Sequence, residues 1–175
     1  MAKFVRRHRS FEKIKRADLT RLAELTLDDL RSLFKRNRRS RVYADRLMLV
    51  CLCQGAARHY VHGDRGINDL DVWAFFRRHP KYVFPYRRHG FADFGPSRFG
   101  RNPKDKARFT GRRVDILGRS IPVLRNEGST AAVKRYLRDA PRGSSPWHLA
   151  RRPVVILWPG SLRGRVIWSG AATNQ

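Results

Sequence analysis

Acidic residues are scarce in this chain of 175 residues: 14 Asp and Glu stand against 39 Lys and Arg, a formal net charge of +25. A compact chain with that imbalance repels itself and attracts polyanions. Nucleic acid is therefore the expected partner, RNA ahead of DNA. A GC-rich coding bias would exchange Lys for Arg, but it would not remove acids. An anionic membrane surface is the weaker reading, because no strongly amphipathic basic helix stands out. Long hydrophobic runs are also missing. None approaches the roughly 20 residues that span a bilayer, so no transmembrane segment is expected. The basic N-terminus lacks the apolar core of a signal peptide. Cysteine is nearly absent. Cys51 and Cys53 are the only two. They are read as pointing to opposite sides of a strand and hence unbridged. Two thiols are too few for a structural zinc site, and His59 and His62 read as ordinary helix surface. A reduced, cytoplasmic protein is expected.

Hydrophobic residues make up 41% of the chain, enough for one α+β domain with a sizeable core. A basic N-terminal arm is expected over 1–25, ahead of a single domain over 26–175. Within the arm, Asp18 to Leu25 reads as a short helix. A second helix of about three turns follows from Leu27, Leu30, Leu33 and Phe34, with Thr26 to Asp29 as its capping box. Ser40 is expected to cap a helix through Tyr43 and Leu47. Leu49–Cys53, Leu70–Phe76, Val114–Leu117 within the stretch Arg113–Ile121, and Val154–Trp158 read as strands, and Val166 to Trp168 as an edge strand. A helix is expected over Ala131–Arg138 and a helical turn from Trp147. Lys81 to Arg112 is irregular. Tyr82, Phe84, Tyr86, Phe91, Phe94, Phe99 and Phe109 interleave there with Arg87, Arg88, Arg98, Arg101, Lys104 and Lys106. Most of these aromatics are expected to pack beneath a folded loop, leaving one or two exposed as stacking platforms.

The stretch Leu49 to Phe76 organises the rest. An apolar run leads to Gln54-Gly55-Ala56-Ala57, where Gly55 permits a tight turn. A short helix over about Ala56–Val61 follows, then a loop marked by Gly63 and Gly66, then Asp69-Leu70-Asp71-Val72. On a strand Asp69 and Asp71 share one face. Paired carboxylates repel unless water or a hard cation such as Mg²⁺ shields them. A third carboxylate, Asp115, lies in R-R-V-D-I-L. In order, these parts resemble the nucleotidyltransferases of the DNA polymerase beta superfamily. The run Gly55 to Asp71 is most similar to the nucleotidyltransferase-like toxins of abortive-infection systems. The resemblance covers about 49–118. It departs at Ala56, where many members carry Ser.

The resemblance implies a mixed sheet of four to five strands with helices packed on one face. It also implies a Mg²⁺- or Mn²⁺-dependent nucleotidyltransferase that moves a nucleotide from a nucleoside triphosphate (NTP) to an acceptor. The acceptor is expected to be RNA, such as a tRNA end. Asp69 and Asp71 would bind both metals of a two-metal site. Asp115 would bind the catalytic one and orient or deprotonate the acceptor hydroxyl. Gly55 and Ala56 would cradle phosphates with backbone N–H groups. Arg58, Arg65, Lys104, Lys106 and Lys134 are the candidate phosphate clamps. The setting it suggests is a toxin or phage-defence component with an antitoxin partner. The alternatives are a non-catalytic RNA-binding protein on the same fold and a nucleotidyltransferase acting on a small molecule or protein. With an arginine such as Arg113 in the metal position, the binding protein would take the lead.

Overall fold

The structure, a computed structural model, describes residues 8–84 and 89–170. Tyr86, Arg87, Arg88 and the first residues of the expected arm lie outside them. The fold is α+β, built on a mixed sheet of six strands, not four to five. In chain order the strands are β1 (Leu47–Leu52), β2 (Leu70–Arg77), β3 (His89–Asp93), β4 (Arg113–Ile121), β5 (Val154–Trp158) and β6 (Val166–Trp168). Their spatial order is β3-β4-β2-β1-β5-β6. Only β2 and β4 run parallel among neighbours. β3 had no sequence signal, because Gly and Pro interrupt the period around it. It forms because its backbone finds an antiparallel partner in β4.

Helices lie on both faces, which corrects the single-faced expectation. One layer holds α1 (Arg16–Arg36) and α3 (Gln54–His62). Leu19, Leu22, Ala23 and Leu30 of α1 and Ala56 and Ala57 of α3 pack there against Val50, Leu52, Leu70, Val72, Phe76, Ile116 and Leu157. The other holds α4 (Ser129–Arg138) and α5 (Ser145–Ala150). Their Ala132, Val133, Leu137 and Leu149 meet Leu49, Cys51, Trp73, Phe75, Ile121 and Ile156. The central strands are apolar on both sides for this reason.

α1 is one continuous helix. Thr26 is buried in its middle, and its hydroxyl donates to the Leu22 carbonyl at 2.8 Å. A hydroxyl satisfied one turn back no longer needs to cap anything. The helix start is set by Asp18, whose carboxylate accepts the Lys15 N–H at 2.6 Å. Residues 16–25 of the expected arm thus belong to a packed helix, and Ser10 pairs with Ile67 beside β2. The four-residue α2 (Arg38–Arg41) is capped by Asn37, which accepts from the Ser40 N–H. Cys51 and Cys53 occupy the same core layer, because residues two apart on an extended chain share a face. Both are free, and burial raises both thiols far above the usual range. His59 is buried, with Nδ1 accepting from the Gly66 N–H. No described helix is long and apolar enough to cross a membrane.

The long segment between β2 and β4 is folded. Phe84, Phe94, Phe99 and Phe109 are buried, whereas Tyr82 and Phe91 are exposed. Arg98 bonds Asp18 of α1 and the Lys13 carbonyl. Buried Arg112 donates to the carbonyls of His8, Asn68 and Phe99. These bonds fasten the loop over the start of β2.

Candidate active site

β2 and β4 run parallel with Asp71 opposite Asp115. Parallel neighbours in register place both side chains on one face, about 5 Å apart. Leu70, Val72, Val114 and Ile116 point into the α1 layer, so the two carboxylates point the other way. Asp69 lies just before β2, on the same side as Asp71. The three expected carboxylates therefore converge at one end of the sheet.

A cation shares that end. The Arg113 Nε lies 2.7 Å from Asp115 Oδ1, and its terminal nitrogens lie 3.2 Å from both Asp69 and Asp105. The side chains of Asp105 and Asp115 are nearly fully buried. Among the described residues nothing donates a hydrogen bond to the Asp71 carboxylate. Burial, then the charges of Asp69 and Asp115, raise its carboxyl to about 7, against the opposing pull of Arg152 and Arg113.

Asp69 and Asp71 open into a cavity of about 640 Å³. Gly55, Arg58, Arg65 and Lys104 line it, four of the seven residues expected to hold nucleotide. Ala56 does not: its side chain is buried beneath α3, leaving only its N–H near the turn. Lys106 and Lys134 are exposed and do not line the cavity. Arg58 is paired with Asp64 at 2.7 Å. The sequence reading did not find His8, Arg9, Asn68 and Arg152, which together with the loop glycine Gly66 complete the wall. Arg152 was findable in principle. It precedes β5, whose start pairs with the end of β1, next to Gly55.

The turn from β1 into α3 bends at Gln54, not Gly55. Gln54 holds φ 55, a left-handed value uncommon for a residue with a side chain. Arg152 fixes it, donating to Gln54 Oε1 at 3.1 Å. Gly55 serves differently. A Cβ there would meet nothing within 4 Å, so glycine leaves bare backbone facing the cavity. Among the described residues no side chain caps the N-terminus of α3, so its first N–H groups are available to an anion.

Among the described residues no group of three or more His, Cys, Asp or Glu side chains stands ready to hold a metal ion. Arg113 takes the place that Asp69 and Asp115 would share. The donor chemistry at Asp69 and Asp71 nevertheless fits a hard divalent cation: both offer carboxylate oxygens, and Asp71 has no ion-pair partner among the described residues. Asp115 is held in its ion pair with Arg113 and does not line the cavity.

Compared with known proteins, the chain matches no family model, no curated protein and no solved structure.

Proposed function

We propose that the chain is a metal-dependent nucleotidyltransferase that moves a nucleotide from an NTP to RNA. One observation carries this reading. The cavity has a cationic wall of Arg9, Arg58, Arg65, Lys104 and Arg152 and an anionic floor of Asp69 and Asp71. A free polyphosphate meets repulsion at the floor, and a free cation meets it at the wall. A nucleotide carrying its divalent cation satisfies both.

Asp69 and Asp71 would hold the cation, with Asp115 as the third ligand. Bound there, Mg²⁺ would neutralise the triphosphate and the charge developing at the α-phosphorus. Backbone N–H groups of the Gly55 turn and the surrounding Arg and Lys side chains hold the phosphates in place. The acceptor hydroxyl oxygen bonds to the α-phosphorus as the bond to the bridging oxygen breaks. Pyrophosphate leaves, and the hydroxyl proton passes to a carboxylate, for which Asp115 is the candidate. The net charge of +25 supports RNA as acceptor. A toxin or phage-defence role, with an antitoxin partner, rests on the resemblance alone.

The test incubates the protein with each labelled NTP, Mg²⁺ and total RNA. Label should pass to RNA, and Asp71→Asn should abolish it. Arg113 stands between Asp69 and Asp115 where the metal was expected, and this favours a second reading, a non-catalytic RNA-binding protein in which the guanidinium is the permanent counter-ion. The transferase is kept ahead of it because Asp71 faces the cavity without an ion-pair partner among the described residues. Intact RNA binding with no transfer from any nucleotide would establish that reading instead.

A further inference from the structure

A second basic concavity lies at the opposite end of β2. From Leu70 to Arg77 the strand spans about 23 Å, so an occupant there does not touch the carboxylates. The segment that follows β2 is pinned from below. The buried Tyr43 hydroxyl accepts the His79 N–H at 3.2 Å and donates to the Tyr82 carbonyl. Phe84 stacks on Phe76 with ring centres 4.4 Å apart and meets the edge of Tyr43. The rings beneath hold the backbone of 79–84, and its outer side chains are presented. Tyr82 is 47% exposed and Val83 73%. The His79 ring lies 5.2 Å from the Tyr82 ring, and its Nδ1 accepts the N–H groups of Lys81 and Tyr82.

Across from Tyr82 stand Arg38, Arg39 and Arg41. With Lys81, Tyr82 and Val83 they line a groove of about 1080 Å³, to which the described residues contribute no carboxylate. Among the described residues Arg38, Arg39 and Lys81 have no acidic partner. Clustered, uncompensated cations repel one another and gain from phosphates. An exposed, backbone-anchored aromatic ring within the same groove adds a face for a base. That combination is the chemistry of single-strand recognition. A membrane surface fits less well, because the ring lies within a concavity.

We propose that this groove binds a single-stranded segment of RNA, with a base on Tyr82 and phosphates on Arg38, Arg39 and Lys81. This deepens the function proposed above and rests on it for the choice of RNA: it is where the acceptor is gripped, apart from where it would react.

The test is fluorescence anisotropy of the full-length chain with an unstructured oligoribonucleotide, across a salt series. Tyr82→Ala should weaken binding about tenfold, and Tyr82→Phe should restore it. Arg38→Gln with Arg39→Gln should make the slope of log affinity on log salt shallower by about 1.4. Binding of a fluorescent NTP with Mg²⁺ should not change in any of these variants. The groove is overturned if Tyr82→Ala and the double variant both bind like the parent. It is also overturned if they lose anionic vesicles and keep RNA, or if DNA of the same sequence binds more tightly. Because transfer at Asp71 is read separately, RNA binding that depends on Tyr82 would stand even where no nucleotide is transferred.

Discussion

Replacing Asp71 by Asn keeps the side chain's shape and removes one charge from the crowded end of β2. In the folded chain this carboxyl is raised from 3.8 to about 7. At about 1.4 kcal/mol per pH unit, that rise corresponds to about 4 kcal/mol of stability lost when Asp71 ionises. Solvent at the cavity mouth screens part of the charge, leaving about 2 kcal/mol. The sign follows from proton counting. Below about pH 4 the group is protonated in both folded and unfolded chains. Between about 4 and 7 the folded chain keeps a proton that the unfolded chain has released, so stability falls as pH rises. Above about 7 the whole penalty is present. Asn escapes it.

The assay is thermal unfolding of the parent and Asp71→Asn in chelator-treated buffer at two pH values. Near pH 4 the melting points should nearly coincide. Near pH 8.5 the variant should melt about 4–8 °C higher, from about 2–4 °C per kcal/mol for a chain of this size. Excess Mg²⁺ should narrow that gap by stabilising the parent alone. A variant that melts lower than the parent near pH 8.5, or by the same margin at both pH values, would refute the account of Asp71 as an unrelieved buried charge.

Arg113→Gln leaves Asp69, Asp105 and Asp115 without their shared cation. It should cost about 3 kcal/mol in urea unfolding without metal, with Mg²⁺ recovering part of the loss; no recovery would mark Arg113 as the permanent counter-ion. Gly118→Ala places a Cβ 2.1 Å from Phe84 Cε1, and the overpacking should cost about 2 kcal/mol, read as a lower urea midpoint. Burial acts to raise the Asp93 carboxyl, but hydrogen bonds from Thr110, Gly95 and Gly111 bring it down to about 2. Solvent screens part of that gain, so Asp93→Ala should cost about 1 kcal/mol at neutral pH, a difference that fades as the parent is acidified from about pH 4 through 2.

The parts legible in the sequence were those written in short-range pattern. β4 was read within its observed bounds, Arg113–Ile121, with Val114–Leu117 as its core, because Val114 and Ile116 between Arg112 and Gly118 carry a strand signal of their own. The approach of Asp115 to Asp71 was read from the resemblance, not from pattern; the register sets the two opposite each other, but Asp115 is buried and does not share the expected open pocket. Long-range burial was not legible. Nothing near Thr26 signals that it lies within a continuous helix, since its partner is a backbone carbonyl one turn away. Asp105 sits between two lysines and reads as solvated surface, yet its side chain is 5% exposed beneath Arg113. Arg112 and Arg113 look alike in sequence. One is a buried tie between three carbonyls, and the other is the cation of the carboxylate cluster. Only the alternation of a strand separates their faces.

The placement of the acids argues for function independently of any resemblance. The chain has 14 acidic residues, and Asp69, Asp71, Asp105 and Asp115 gather at one corner. Pairing β2 with β4 in parallel and in register stacks Asp71 on Asp115, so sequence choice alone sets whether that contact is repulsive. Asn at either position would keep the shape and remove the repulsion. A strongly basic surface for RNA needs no such cluster. It would be better served by having none, since each carboxylate cancels attraction to phosphate. A costly group of like charges, kept in a chain that otherwise avoids that charge, is the arrangement expected where stability has been given up for chemistry. Arg113 limits the cost by pairing with Asp69, Asp105 and Asp115, and Asp71, with which it forms no ion pair, keeps the remaining charge aimed at the cavity.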